Sequence, residues 1–259
     1  MRNQIFDMHS IETIHGFNNY EAMVLMDCFL RYIEPENTLE IGTWDGRTSV
    51  IIASNTSGEF RYIECDPGHW KATYENVTKH AGLPEDKIHG YQAMSCFADL
   101  DKVVGRCMDF IHIDGGHSLE CVEQDLEMCS RLLKPGGLMV LDDVFSATYP
   151  HITEAVYDFV SRRKEFKLLM VGLNKGFICF NGAYLGYVDF IIDHLLNEMR
   201  RYPYLDNALF SICKTSPLAD STTYGIIGQD PRYDTHRYRG NETCEGNPVE
   251  RIFQDTTLS

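Results

Sequence analysis

The chain has 259 residues, 44% of them hydrophobic, enough for one large domain or two small ones around a buried core. Its 23 Lys and Arg stand against 38 Asp and Glu, a formal charge of −15, and a surface that negative repels phosphate backbones and anionic membranes, so nucleic acid is not expected as a partner. Apolar runs such as "VDFIIDHLL" are interrupted by charge and too short to span a membrane, and "MRNQIFDMHSIET" lacks the layout of a secretory signal, so a cytoplasmic protein without membrane association is expected. The nine cysteines are scattered, without a CxxC pair, and read as reduced structural thiols.

In chain order, residues 1–34 form an N-terminal helical flap, in which "YEAMVLMDCFLRYI" places Met23, Met26, Cys28, Phe29 and Ile33 near helical spacing ahead of Pro35. His15 and Gly16 precede that helix and are placed to close over a site. A short strand with Leu39 and Ile41 then runs through a glycine-bearing turn into a helix. "EFRYIECD" reads as a strand, "PGHWKATYENVTKHAGL" as a helix and "DKIHGYQA" as a short strand. "CMDFIHID" is apolar on both faces, as a central parallel strand requires. Leu119, Val122, Leu126, Cys129 and Leu133 recur at helical intervals until "KPGG" stops them. "LMVLDD", the helix "TEAVYDFVSRR" and two strands joined by "LNKG" complete the series.

Strands and helices thus alternate from about residue 38 to 180, which predicts an α/β fold with a doubly wound, mostly parallel sheet and helices on both faces. The expected division is a flap at 1–34, a core at 35–182 and an extension at 183–259. The extension opens with the amphipathic helix "YLGYVDFIIDHLLNEMRRY". From Lys214 to Ser259 it reads as an irregular tail, ordered only by lying across the body or across a partner subunit of a homo-oligomer.

In open parallel sheets ligands bind beyond the carboxyl ends of the strands, and the unusual residues fall there. After the first strand, "EIGTWDGRTS" carries Glu40, Gly42, Trp44, Gly46 and Thr48. The glycines allow a tight turn and close approach to a ligand, the helix that follows attracts a carboxylate, and Glu40 could neutralise a cationic amine. The spacing is not G-x-G-x-x-G, which argues against a dinucleotide and for a smaller ligand. Trp44 either shields that ligand or packs on a neighbouring subunit. After the second strand, "IECDP" offers Glu64, or less favourably Asp66, to paired ribose hydroxyls. After the third, Met94 and Ser95 could cover and hydrogen-bond a base. His112 lies within its strand and reads as a hydrogen-bonded core histidine.

Together "EIGTWDGRTS", "YIECDP" and "LLKPGGLMVLDD" resemble motifs of the class I S-adenosylmethionine-dependent methyltransferases, over roughly residues 35–180. The longer run "IDGGHSLECVEQDLEMCSRLLKPGGLMVLDDV" is similar to the family-24 and macrolide sugar O-methyltransferase branch, whose members resemble catechol O-methyltransferase in using magnesium. The resemblance implies a Rossmann-like seven-stranded sheet, S-adenosylmethionine as cofactor, an enzyme of natural product biosynthesis and a small-molecule methyl acceptor. The segment after Phe180 does not match.

Asp114 ends the fourth strand, and Asp142 and Asp143 end the fifth. Adjacent strands lie about 4.8 Å apart, so three carboxylates meet at one rim. Such a cluster suits a hard divalent cation such as Mg²⁺, held by Asp114, Asp142 and Asp143, which would orient an acceptor diol and lower the pKa of one hydroxyl. His117 could serve as general base beside Asp114 and Asp142 in catalysis. The leading expectation is metal-dependent O-methylation of an oxygen-rich small molecule. The competing ones are a metal-independent O- or N-methyltransferase using His117 alone, and a non-catalytic cofactor-binding scaffold.

Overall fold

The computed structural model describes residues 3–16, 18, 20–95, 107–205, 210–214 and 221–228. Five strands pair in parallel: β1 (Asn37–Ile41), β2 (Glu59–Glu64), β3 (Ile88–Gln92), β4 (Met108–Ile113) and β5 (Leu133–Asp142). β6 (Phe166–Gly172) and β7 (Lys175–Phe180) form a hairpin that joins β5 through an antiparallel β7. With β8 (Phe210–Lys214) and β9 (Tyr224–Gly228) the strands form one sheet in the order β3-β2-β1-β4-β5-β7-β6-β9-β8.

The helices are α1 (Tyr20–Ile33), α2 (Arg47–Asn55), α3 (Pro67–His80), α4 (Leu119–Leu132) and α5 (Pro150–Arg162). A C-terminal run follows as α6 (Tyr184–Phe190), a π turn (Ile191–Leu195) and α7 (Leu196–Met199). Alternate strand residues point to opposite faces, so each strand feeds two cores. Phe60, Tyr62, Phe110, Leu138, Val140 and Phe177 pack with α1, α2 and the C-terminal run. Leu39, Ile41, Ile111, Ile113, Met139 and Leu141 pack with α4 and α5. Local signals set the helix starts: Asp66 caps α3 by accepting from the backbone of Gly68 (2.7 Å) and His69 (3.0 Å), with Pro67 at the first position, and Ser118 caps α4.

A buried polar knot fastens α1 to the C-terminal run. Asp27 accepts from Asn55 at 2.6 Å, from the Tyr202 hydroxyl and from Arg31 Nε at 3.3 Å, while Arg31 Nη1 reaches Glu198 at 2.8 Å. Asp27 and Arg31 are both fully buried, and each has the partners that a buried charge requires. None of the described cysteines is in a disulfide. Among the described residues no helix is long and apolar enough to cross a membrane.

The α/β class and the mostly parallel, doubly wound sheet are as expected. Two expectations need correction. The sheet has nine strands rather than seven, because β8 and β9 extend it past β6. The stretch from Lys214 onward is therefore not irregular throughout: β9 pairs in parallel with β6 (Met170 opposite Tyr224) and antiparallel with β8, burying Tyr224 and Ile226. "YGIIG" is a five-residue apolar island whose signal is diluted when 46 mostly polar residues are read together. Residues 215–220 and 229–259 of the expected tail lie outside the described residues. Gly172 makes the docking feasible, since at its φ of 137° a Cβ would stand 2.2 Å from the Ile226 carbonyl oxygen.

Ile226→Ala should lower stability in urea denaturation by about 2–4 kcal/mol, the cost of truncating a buried aliphatic side chain. A change below about 0.5 kcal/mol, typical of surface positions, would contradict a packed β9.

Candidate functional site

The strand order reverses direction between β1 and β4, and there the loops after Ile41 and Ile113 part to form a cavity of about 800 Å³. The Gly42 amide donates to the Ile63 carbonyl at 2.9 Å and the Asp114 amide to the Ile41 carbonyl at 2.7 Å. Gly42 has a φ of 74°, and a Cβ on it would lie 1.9 Å from the Asp114 carbonyl oxygen. Gly46, at φ 84°, would strike Thr73 at 2.8 Å. Both positions therefore require glycine, one for contact with the β4 loop and one for contact with α3.

Glu40, Gly42, Trp44, Thr48, Glu64, Met94, Ser95, Asp114, His117, Asp142 and Asp143 all line this cavity, together with His15 and Gly16. Gly46 sits behind it as the N-cap of α2. Glu64 Oε2 accepts from the backbone of Thr43 (2.9 Å) and Trp44 (3.1 Å), so the acid at the end of β2 also holds the β1 loop. Asp66 lines the cavity as well but caps α3 through Oδ1, while Glu64 Oε1 accepts from the Asp66 backbone amide at 3.0 Å. Glu40 is 1% exposed and lies between the Ser49 hydroxyl and His112 Nδ1, the latter at 2.9 Å. His112 is thus the hydrogen-bonded core histidine expected. Trp44, at φ 50°, stacks on His69 with ring centroids 4.0 Å apart and donates to His15 Nδ1 at 2.8 Å, bringing the segment before α1 to the cavity rim.

The three aspartates reach one rim. The antiparallel register sets Lys175 of β7 opposite Asp142 of β5, and its fully buried ammonium lies 2.5 Å from Asp142 Oδ2, 2.7 Å from Asn18 Oδ1 and 3.5 Å from His112 Nε2. Burial works against ionisation of Asp142, but the Lys175 charge, the neighbouring His112 and the hydrogen bonds from Lys175 and the Asp143 backbone together outweigh it and hold that carboxyl below the usual range. Asp114 moves the opposite way: desolvation, then the neighbouring Asp142 charge, push it well above the carboxylate range, with Lys175 opposing. At the outer edge His117 Nε2 lies 3.0 Å from Asp143 Oδ2. That contact raises His117 and lowers Asp143. His117 also stacks on Tyr149 at 4.4 Å, and its carbonyl accepts from His151 at 2.5 Å.

Donor atoms within 4.8 Å of one another form two overlapping sets, His112 with Asp114 and Asp142, and Asp114 with His117 and Asp143. In the first, the Lys175 ammonium already lies against Asp142 and His112. The second is open to the cavity and offers two carboxylate donors and an imidazole, a set that fits a divalent cation.

Sequence reasoning did not find Lys175, Asn174, Asn18 or Asp125. Lys175 follows a turn, where lysine normally reads as solvated. Its burial follows from the tight turn at Leu173 (φ 52°) and Asn174 (φ 65°), which fixes the register, and Asn174 donates to Asp143 at 2.7 Å. An "LNKG" turn beside a "DD" strand end was the available signal.

Lys175→Met should destabilise the protein by about 3–5 kcal/mol, because Asp142 is left as a buried charge without its partner. Adding Asp142→Asn should restore most of that loss. Urea denaturation of the two variants checks this, and equal stability of single and double variants would show that the pair is not coupled.

Residues 39–144 match the model of a family described as "Methyltransferase domain". The fold is similar to an O-methyltransferase from Bacillus cereus solved with SAH, at 19% identity and a TM-score of 0.52 over 66% of this chain and 83% of that one. It is likewise similar to the O-methyltransferase TomG from Streptomyces achromogenes, solved with SAM, at 17% identity and 0.51 over 65% and 82%. A SAH-bound methyltransferase from Podospora anserina gives 16% and 0.53 over 67% and 86%. The glycine-bearing β1 loop, the acid at the end of β2 and the strand ends that line the cavity between them fall within residues 39–144, the stretch that matches a methyltransferase domain and shares the fold of these proteins.

Proposed function

We propose that the enzyme methylates a hydroxyl of a small, oxygen-rich molecule such as a sugar, a polyol or another natural product, with a divalent cation such as Mg²⁺ at the Asp114, Asp142 and Asp143 rim. The observation that carries this reading is that one cavity joins the Gly42 loop and Glu64 on one side to the acidic rim and His117 on the other. The O-methyltransferases of similar fold support it, one of them described as involved in tomaymycin synthesis. The setting that goes with it is the cytoplasm.

In this reading Glu64 takes the ribose hydroxyls, Glu40 and the Gly42 turn surround the methionine end, Trp44 and Thr48 border it, and Met94 and Ser95 meet the base. The acceptor oxygen forms its bond to the methyl carbon as the bond from carbon to sulfur breaks. His117 in its neutral form takes the hydroxyl proton, and Asp143, 3.0 Å away, stabilises the imidazolium that results. Asp114, Asp142 and Asp143 would hold the cation, Asp142 through Oδ1, which also accepts from the Asp143 amide at 2.8 Å, while Lys175 takes its Oδ2. The bound ion would supply Lewis-acid polarisation of the acceptor. A metal-independent variant is favoured by the same Lys175 pair, which already compensates one carboxylate, and by the His117–Asp143 contact.

Calorimetry should show SAH binding, and NAD binding without SAH binding would overturn the cofactor reading. Transfer of labelled methyl from S-adenosylmethionine to a panel of polyols and vicinal diols should need Mg²⁺ or Mn²⁺ and stop with EDTA. His117→Ala should lower turnover about 10²- to 10⁴-fold with SAH affinity unchanged. Full activity in EDTA together with loss on His117→Ala would select the metal-independent mechanism instead.

A further inference from the structure

Ser95, three residues past β3, lines the cavity and is 6% exposed. Its hydroxyl donates at 3.0 Å to Oδ2 of Asp125, a fully buried residue of α4. The other oxygen of Asp125 is also buried and has no hydrogen-bond partner among the described residues. Gly115 makes room for the pair: a Cβ there would stand 3.0 Å from Ile41, 3.2 Å from Asp125 Oδ2 and 3.6 Å from Ser95 Oγ. An acidic side chain buried with half its capacity unmet is unfavourable for the fold, and packing alone does not call for it.

A serine hydroxyl can donate or accept, and which it offers a ligand depends on where its hydrogen is held. Burial pushes the Asp125 carboxyl up to about 6, so at pH 8 it is a carboxylate and can only accept. The Ser95 hydrogen is thereby committed to Asp125, and what remains for a ligand is the oxygen's lone pairs. We propose that Asp125 is a positioning residue that fixes Ser95 as a hydrogen-bond acceptor toward the cofactor's base, so that the pocket selects a base edge bearing an exocyclic amino group. This rests on the reading of the cavity as an S-adenosylmethionine site with the base at Ser95.

The test is calorimetry at pH 8 with SAH and with its analogue lacking the amino group at purine C6. The native enzyme should bind SAH at least tenfold more tightly. In Asp125→Leu, where the Ser95 hydroxyl is no longer oriented, that ratio should fall to threefold or less. Ser95→Ala should give the same low ratio and guards against misfolding of the Asp125 variant. A purely structural role would weaken both ligands in proportion, so an unchanged ratio in either folded variant overturns the proposal, as does equal binding of the two ligands by the native enzyme. Failure of the native enzyme to bind SAH at all would overturn the cofactor reading, and this proposal with it.

Discussion

A lysine ammonium sealed inside the protein against a carboxylate fixes more of this structure than any other contact. Lys175 and Asp142 face each other across two antiparallel strands, so their pairing holds the β6–β7 hairpin in register against an otherwise parallel sheet. The ammonium also reaches Asn18 and approaches His112, which meets Glu40, which takes the Ser49 hydroxyl. One polar network thus crosses β7, β5, β4, β1 and α2. A buried network of this kind is tolerable only when its members satisfy one another, which ties the side chains around the β1 loop to those at the acidic rim.

The acids around the cavity show how position separates chemically similar residues. Glu64 and Asp66 are two residues apart, yet one holds the β1 loop and the other caps a helix. Asp114 and Asp142 are neighbours whose tendencies to ionise diverge, because Lys175 stands closest to Asp142. Asp143 is engaged from the solvent side by His117 and Asn174.

The strand and helix series, the parallel sheet and the residues around the cavity were legible in the sequence because their signals are local. A run apolar on both faces marked β4, helical periodicity marked α4, and glycine spacing and strand-end acids marked the loops. What was not legible depends on pairings between distant segments. Nothing within "LNKG" shows that its lysine is buried; that follows from which strand β7 joins. The Ser95–Asp125 contact links residues 30 apart that no spacing rule relates. The short β9 has too few residues to show alternation, and only its place between β6 and β8 makes it a strand.

The closeness of Gly42 to Asp114 has a consequence for how such a site can diverge. With 1.9 Å between a would-be Cβ and the Asp114 carbonyl oxygen, the loops after β1 and β4 form a single contact surface rather than two adjustable ones. A side chain at position 42 would displace the backbone after β4, so a change in one loop at that point is felt by the other. The remaining walls of the cavity, the segment after Asp143 and the N-terminal stretch around His15, meet it through side chains such as Asn174 and Trp44, which can be exchanged without moving that backbone contact.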